Sequence, residues 1–151
     1  MIFFRPTEDF IKWLKSYIGK RFVVDIGCGE GCLLYNMKKA GIPCIGVDPY
    51  PPLIPDSERD FDTPFDIIIR QKGQSSALIQ RENALIIIAR PCHDGFTEEV
   101  ILGRNLKTEV LYIGLQKNVG MDLGNIKHEE VFLGFEIGNE QEKIYRIKPE
   151  K

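Results

Sequence analysis

The sequence predicts an α/β fold, a three-layer sandwich around a doubly wound, mostly parallel seven-stranded sheet with a C-terminal antiparallel hairpin. Short apolar runs alternate with segments of helical periodicity, and a glycine-rich turn joins the first run to the helix after it. The length of 151 residues suggests one domain over residues 1–151, and 43% hydrophobic residues suffice for a core without disulfides or metal.

The first predicted element is a leading helix within residues 1–19. Apolar residues recur at helical spacing from Thr7 to Ile18. Thr7 is the expected N-cap, because its hydroxyl can accept a hydrogen bond from a free backbone N–H of the first turn. Gly19 is expected to end the helix.

Residues 21–48 predict a βαβ unit. The buried strand Arg21–Ile26 is followed by the glycine-rich loop and by a helix that ends at Gly41. Pro43–Val47 is the second strand. Two strands joined in this way are parallel, with a right-handed crossover.

The rest of the chain predicts a proline-rich loop, three more parallel strands, two helices and the hairpin. Residues 49–64 contain five prolines, so we expect an irregular loop where a doubly wound fold normally has its second helix. The expected hairpin joins Val131–Ile137 to Lys143–Ile147 through Gly138 and Asn139. The other predicted strands are Phe65–Arg70, Ala84–Arg90 and Glu109–Leu115, and the predicted helices lie near Ser75–Arg81 and Phe96–Arg104.

The charge and hydropathy of the chain exclude several classes of protein. Twenty basic and 22 acidic residues give a net charge of −2, which does not indicate a nucleic-acid partner. No apolar run reaches the length of about 18 residues that a membrane span needs, and the start lacks the pattern of a signal peptide. We therefore expect a cytoplasmic protein.

The cysteines predict no metal or redox site. None of them forms a C-x-x-C pair, so reduced thiols are the simpler interpretation. The four are Cys28, Cys32, Cys44 and Cys92.

The glycine-rich loop carries the clearest chemical signal. Residues 23–31 read Val-Val-Asp-Ile-Gly-Cys-Gly-Glu-Gly, between a strand and a helix. Such a turn lets a ligand approach bare backbone beside the free N–H groups of the helix. The dinucleotide pattern G-x-G-x-x-G requires glycine where Cys32 stands. A nicotinamide-dependent oxidoreductase is therefore the weaker alternative.

The pattern D-x-G-x-G-x-G, which opens at Asp25, resembles the first motif of the class I S-adenosylmethionine-dependent methyltransferases, a Rossmann-like family. The resemblance implies that Gly27, Gly29 and Gly31 lie under the methionyl and ribose parts of the cofactor. It also implies that Asp25 lies near the cofactor's amino group. The similarity is strong over residues 21–48 and extends elsewhere only in strand order, as in a small member that lacks the second helix.

Asp48, at the end of the second strand, is the candidate for binding the ribose. It follows Asp25 by 23 residues, close to the interval of about 20 expected between such a loop and its ribose acid. A carboxylate can accept hydrogen bonds from both ribose hydroxyls. Pro49 and Tyr50 would pack beside the cofactor. Gln71 is the candidate for the adenine amino group, in competition with Lys72 and Asp62.

The loop after the fourth predicted strand is the candidate site of the methyl acceptor, because ligands bind at the carboxyl ends of strands in open α/β sheets. His93 can serve as a general base for a hydroxyl or amine. Asp94 would orient His93, and Arg90 would hold an anionic acceptor. The alternative is a solvated turn whose polar residues serve only the loop geometry. The Asn/Asp-Pro-Pro-aromatic box of some amino-group methyltransferases is absent after this strand.

A second strand assignment stays open. The Phe65-Asp66 start resembles the fourth strand of many family members, and it would move the acceptor loop to residues 70–73. The first assignment is preferred because it accounts for all seven strands.

Two functions follow from these observations. The first is a methyltransferase that uses S-adenosylmethionine on an unidentified acceptor. The second is a catalytically degenerate module that acts through a protein partner. Homodimerisation is possible under either function.

Overall fold

The computed structural model describes residues 4–49 and 61–150. One mixed sheet forms the middle layer. Its strands are β1 Phe22–Ile26, β2 Cys44–Val47, β3 Ile68–Ile69, β4 Ala84–Ala89, β5 Glu109–Gly114, β6 Glu129–Val131 and β7 Lys143–Ile147. They lie in the order β3-β2-β1-β4-β5-β7-β6, with β1 to β5 parallel and the β6–β7 hairpin antiparallel. The predicted seven-stranded, mostly parallel sheet is confirmed.

In the described residues, four α-helices cover the sheet. They are α1 Glu8–Ile18, α2 Cys32–Lys39, α3 Phe96–Gly103 and α4 Val119–Leu123. The predicted cap of α1 is confirmed, because Thr7 Oγ1 accepts from Phe10 N at 3.1 Å. The short α4 was not predicted from the sequence.

Two separate apolar clusters show that both faces of the sheet are covered. Val23 of β1 packs with α1 and α2 on one face. Its neighbour Val24 points to the other face and packs with α3 and α4. Successive strand residues face opposite sides, so one apolar run serves both clusters. The three-layer sandwich is therefore confirmed.

The strand order creates a ligand-binding crevice. β1 has β2 on one side and β4 on the other, so the chain winds outward from β1 in both directions. At such a switch point the loops after β1 and β4 diverge and leave a crevice at the carboxyl ends of the strands.

The third strand is shorter than predicted. Phe65–Ile67 forms a 3₁₀ turn, and only Ile68–Ile69 pairs with β2. This edge strand is partly solvated, because Phe65 and Ile69 are 46% and 37% exposed. The alternative that made Phe65 the start of the fourth strand is wrong, since β4 lies between β1 and β5.

The predicted helix near Ser75–Arg81 is also wrong. Its place is taken by two 3₁₀ turns, Gly73–Ser75 and Ala77–Gln80. Ser76 separates them in an extended conformation, and its side chain accepts from Leu78 N at 3.2 Å. This local bond between side chain and backbone competes with a continuous helix.

The C-terminal hairpin is confirmed, but its first strand and its turn are not where the sequence predicted them. β6 ends at Val131, and residues 132–142 connect it to β7. Part of this connection pairs with the start of the chain: Thr7 N donates to Ile137 O at 2.9 Å, and Pro6 forms a bridge with Gly138. The backbone groups expected to close a tight turn thus hold the N-terminal segment.

The predicted proline-rich loop at 49–64 lies largely outside the described residues. In the described ranges 4–49 and 61–150, no helix is both long and apolar enough to cross a membrane.

Candidate functional site

The glycine-rich loop leaves β1 in a tight turn against β2. Gly27 N donates to Val47 O at 2.7 Å, which ties the start of the loop to the end of the second strand. Gly27, Gly29 and Gly31 have φ values of 72°, 57° and 85°. Residues with a Cβ rarely adopt φ values in this left-handed region, so the backbone path requires glycine at these three positions.

A fourth glycine, Gly46 in β2, allows the loop to lie close to the sheet. A Cβ at this position would lie 2.3 Å from Leu34 Cδ1 and 2.9 Å from Cys28 Sγ. The loop and α2 therefore pack directly on the backbone of β2. No pattern in the sequence predicts this contact, because Gly46 lies outside the motif and inside a strand.

Asp48 and the glycine loop are in direct contact. Gly29 N donates to Asp48 Oδ2 at 2.9 Å, and the side chain of Asp48 is half-buried. The two predicted cofactor-binding features, separated by β2 and α2 in the chain, thus meet at the carboxyl end of the sheet.

Asp25 lies deeper, near the end of β1. It is 2% exposed, and its Oδ2 has no hydrogen-bond partner among the residues that the structure describes. Burial, with a further contribution from the charge of Asp48, raises the pKa of Asp25 to about 8. A small cavity of about 20 Å³ lies beside it. The lining residues are Phe4, Asp25, Gly27, Cys28, Glu30, Cys32, Leu33 and Ala89.

Glu30 is a buried acid of the loop that sequence reasoning overlooked. It is 3% exposed, and Arg5 Nη2 lies 3.3 Å from its Oε1. The guanidinium of Arg5 also lies 5.7 Å from the ring centroid of Phe61. The N-terminal segment therefore covers this end of the loop. The sequence does not predict this pair. The motif leaves position 30 variable, and no pattern in the sequence links Arg5 to Glu30.

Gln71, predicted to contact adenine, and Pro49, predicted to pack beside the cofactor, lie next to Asp48. The backbone N–H groups of Asp48 and Gln71 both donate to Ile69 O, at 3.0 and 3.1 Å. Gln71 is exposed and Pro49 is half-buried. Tyr50 lies outside the described residues. Contact of Gln71 with adenine stays a prediction.

A larger cavity, of about 330 Å³, opens at the carboxyl ends of β4 and β5. Arg90 lines this larger cavity. It directly follows Ala89, which lines the small cavity beside Asp25. Both cavities thus have a lining residue at the end of β4. The larger one is lined by Arg90, Pro91, Cys92, His93, Tyr112, Gly114, Leu115, Asn118 and Asp122.

His93 is paired in this cavity with a buried acid from α4. His93 Nδ1 lies 2.6 Å from Asp122 Oδ1, and the Tyr112 hydroxyl donates to Asp122 Oδ2. Asp122 is 3% exposed and Tyr112 is fully buried. Burial, and next the hydrogen bond to Asp122, raises the pKa of Tyr112. Tyr112 therefore remains a hydrogen-bond donor.

Asp94 does not orient His93 as the sequence suggested. Its Oδ1 accepts from Phe96 N at 3.2 Å, at the first turn of α3. An aspartate two residues before a free N–H forms this local bond readily. The partner of His93 comes instead from position 122, and nothing in the local sequence indicates that α4 reaches this loop.

Arg90 lines the cavity but is already paired. Arg90 Nη1 donates to Glu142 Oε1 at 3.2 Å, and the Glu142 side chain is fully buried. Arg90 also has a φ of 50°, a strained conformation for a residue with a Cβ, directly after β4. Binding of an anionic acceptor by Arg90 stays a prediction.

The cysteines near the loop do not form a reactive centre. Burial, and next the charges of nearby aspartates, raises the pKa of Cys28 and of Cys92. For Cys92 these charges are those of Asp94, Asp48 and Asp122. In the described part of the chain, no group of three or more potential ligand side chains could hold a metal ion.

No protein-family model and no curated protein matches the sequence. Among solved structures, the chain is similar to magnesium protoporphyrin IX methyltransferase (ChlM) from Synechocystis PCC 6803 with bound S-adenosylmethionine. The identity is 13% and the TM-score 0.52, over 93% of this chain and 77% of that one. The 23S rRNA methyltransferase ErmE is similar at 12% identity and a TM-score of 0.55, over 99% and 70%. Monomeric WbdD is similar at 12% and 0.56, over 96% and 42%.

These likenesses show the fold. The chain has the fold of the class I S-adenosylmethionine-dependent methyltransferases, as the motif at residues 25–31 predicted.

Proposed function

We propose that this chain binds S-adenosylmethionine along the glycine-rich loop and transfers its methyl group to an acceptor in the cavity at the end of β4. The observation that carries the proposal is the contact between Gly29 and Asp48 at the switch point of the sheet. It brings the glycine turn and the ribose acid together. ChlM, of the same fold, has been solved with S-adenosylmethionine and with S-adenosylhomocysteine.

The residues of the loop fit this cofactor. The buried Oδ2 of Asp25 lacks a hydrogen-bond partner in the described residues, so a ligand amino group can satisfy it. The three glycines of the turn have left-handed φ values and carry no side chains, while Phe96 packs against Gly27 and Pro64 packs against Gly31. Asp48 supports a diol because each oxygen of a carboxylate can accept more than one hydrogen bond.

In this proposal the chain acts mainly by positioning. The bound cofactor supplies a methyl group already activated by the sulfonium. Asp25 and Asp48 would hold the two ends of the ligand and so place the reacting carbon near the end of β4, where Ala89 lines the small cavity and Arg90 the larger one. Holding two reactants in line lowers the barrier by several kcal/mol without any covalent step on the protein.

The larger cavity supports a small acceptor. Its volume of about 330 Å³ lies at the lower end of the range for small-molecule sites, about 300–1,000 Å³. The His93 side chain is 37% exposed, so an entering ligand can reach its ring. A hydroxyl or amine acceptor loses a proton on methylation, and the imidazole of His93 can take it.

Transfer of a labelled methyl group tests this function. The purified protein is incubated with S-adenosylmethionine labelled in the methyl group and with a panel of small hydroxyl and amine compounds. We expect label in at least one product. In the matched variant Asp48→Asn we expect transfer to fall because less cofactor binds. Cofactor binding without transfer to any acceptor class would favour the alternative, a degenerate module that acts through a partner.

A further inference from the structure

We propose that Asp122 and Tyr112 are positioning residues that hold His93 with its proton on Nδ1, so that Nε2 faces the cavity as a proton acceptor. This inference deepens the proposed function and rests on it for the identity of the reaction. It adds two residues, from β5 and α4, to a site that the sequence placed only in the loop after β4.

The hydrogen bonds of Asp122 leave one arrangement for a neutral His93. An ionised carboxylate only accepts hydrogen bonds. Oδ2 already accepts from the Tyr112 hydroxyl, and Oδ1 lies 2.6 Å from His93 Nδ1. The proton of the neutral ring must therefore lie on Nδ1, and Nε2 keeps a free lone pair.

Burial makes this arrangement rigid. Asp122 is 3% exposed and Tyr112 is fully buried, whereas the His93 side chain is 37% exposed. The acid and the phenol are thus largely shielded from solvent, although both line the cavity together with His93. Among the described residues, none forms a hydrogen bond to Nε2. The exposed nitrogen remains available to a ligand in the cavity.

The positions of β5 and α4 in the fold bring Tyr112 and Asp122 together near His93. Tyr112 lies in the buried centre of β5, next to β4. Asp122 belongs to α4, which packs against α3 and so brings the acid under the His93 loop. The Tyr112 ring also lies against the backbone of Gly114, where a Cβ would approach the hydroxyl to 2.6 Å. Gly114 thus leaves room for the phenol beside Asp122.

In the reaction, the acceptor's O–H or N–H bond breaks as the bond from that atom to the methyl carbon forms. The carbon–sulfur bond of the cofactor breaks, and its electron pair goes to sulfur, which leaves as S-adenosylhomocysteine. The proton goes to His93 Nε2, and the resulting imidazolium is stabilised by the carboxylate of Asp122.

Nitrogen NMR of the histidine rings tests the tautomer in the ligand-free protein. The chain has only two histidines, and the variant His128→Gln assigns the spectrum. Under alkaline conditions, where the rings are neutral, we expect His93 to carry its proton on Nδ1. A neutral His93 with the proton on Nε2 would overturn the inference. This measurement needs no site variant, so it does not depend on the folding of one.

Asp122→Asn is the matched change, because an amide can donate to Nδ1 and thereby favour the proton on Nε2. We expect this variant to switch the tautomer, and Asp94→Asn to leave it unchanged. An unchanged tautomer in Asp122→Asn would contradict the positioning role.

A parallel titration with S-adenosylhomocysteine separates the two proposals. We expect equal binding by the wild type and Asp122→Asn, and transfer slower by about 10²–10⁴-fold in the variant. Absence of binding in the wild type would refute the proposed function, whatever the tautomer.

Discussion

At the scale of single residues, the two acids beside the glycine-rich loop have different environments, and we propose different roles for them. Asp48 is half-buried and accepts a hydrogen bond from the backbone of Gly29. Asp25 is buried, and one of its oxygens has no partner in the described residues. Asp48 is thus ready to share its oxygens with a polar ligand, whereas Asp25 is costly to ionise until a ligand compensates its charge.

Asp48→Asn should weaken binding of S-adenosylmethionine by roughly 1–3 kcal/mol, because it removes charge-assisted hydrogen bonds but keeps the shape of the side chain. Calorimetric titration measures the change. Asp66→Asn is the control, since Asp66 is an exposed acid whose ion pair with Lys38 contributes little. Equal affinities for wild type and Asp48→Asn would move the ribose site elsewhere.

The raised pKa of Asp25 predicts that the stability of the protein depends on pH. This pKa is raised from 3.8 to about 8 in the folded protein. Between these values the unfolded chain ionises Asp25 while the folded chain keeps it protonated. The contribution of Asp25 to stability is therefore complete below about pH 4 and is lost as the pH rises towards 8.

Urea denaturation of the ligand-free protein checks this dependence against Asp25→Asn, which cannot titrate. We expect the free energy of unfolding of the wild type to fall relative to the variant by roughly 1 kcal/mol per pH unit within that window. Parallel pH curves for the two proteins would show that Asp25 ionises normally.

At the scale of elements, one buried acid joins the helix and strands at the amino end of the sheet. Glu109, the first residue of β5, accepts from the Tyr17 hydroxyl and from Arg21 Nη1, both at 2.6 Å. Arg146 of β7 donates to Oε2, the oxygen that also accepts from Tyr17. Burial alone would raise the pKa of Glu109, but these hydrogen bonds outweigh it and hold the pKa below its usual value. Glu109 thus fixes α1 and β7 to the centre of the sheet.

Glu109→Gln should lower the free energy of unfolding by about 1–3 kcal/mol, because two arginines lose their buried counter-charge. This loss of stability is smaller than the loss expected for a fully buried ion pair, since both arginine side chains are partly exposed. Denaturant unfolding measures the loss. Glu129→Gln, in a half-exposed acid paired with the same Arg146, serves as control and should change stability little.

The packing of β2 against the loop predicts the effect of Gly46→Ala. The added methyl group would overlap with the buried Leu34 and press on Cys28. We expect a loss of stability of about 1–3 kcal/mol from overpacking, together with weaker cofactor binding as the loop shifts. Gly134→Ala is the control, because open space surrounds that position. Wild-type stability and affinity in Gly46→Ala would refute the close approach.

At the scale of the whole molecule, the sequence predicted that the glycine turn and Asp48 come together, but it did not predict the partner of His93. The glycine turn and Asp48 belong to one βαβ unit, so local spacing was enough to bring them together. His93 pairs with Asp122, which also accepts from Tyr112; the two residues are distant from His93 in the chain and are carried by an unpredicted helix and the middle of a strand. Their meeting depends on tertiary packing, which periodicity does not reveal.

The strands of the sheet were likewise predicted well only where the local sequence signal was strong. The apolar runs that became β1, β4 and β5 are buried on both faces and were readily predicted. The edges of the sheet were predicted less well, because β3 and β6 are short and partly solvated. The connection at 132–142 also pairs with the N-terminal segment, a long-range contact without a local signal.

The most direct test of the account is a calorimetric titration of the purified chain with S-adenosylmethionine and S-adenosylhomocysteine, with NAD as the control. We predict micromolar binding of both sulfur ligands and none of NAD. Binding of NAD without either sulfur ligand would contradict the assignment of the glycine loop. Binding of none of the three would leave that loop as a structural turn in a methyltransferase-like scaffold.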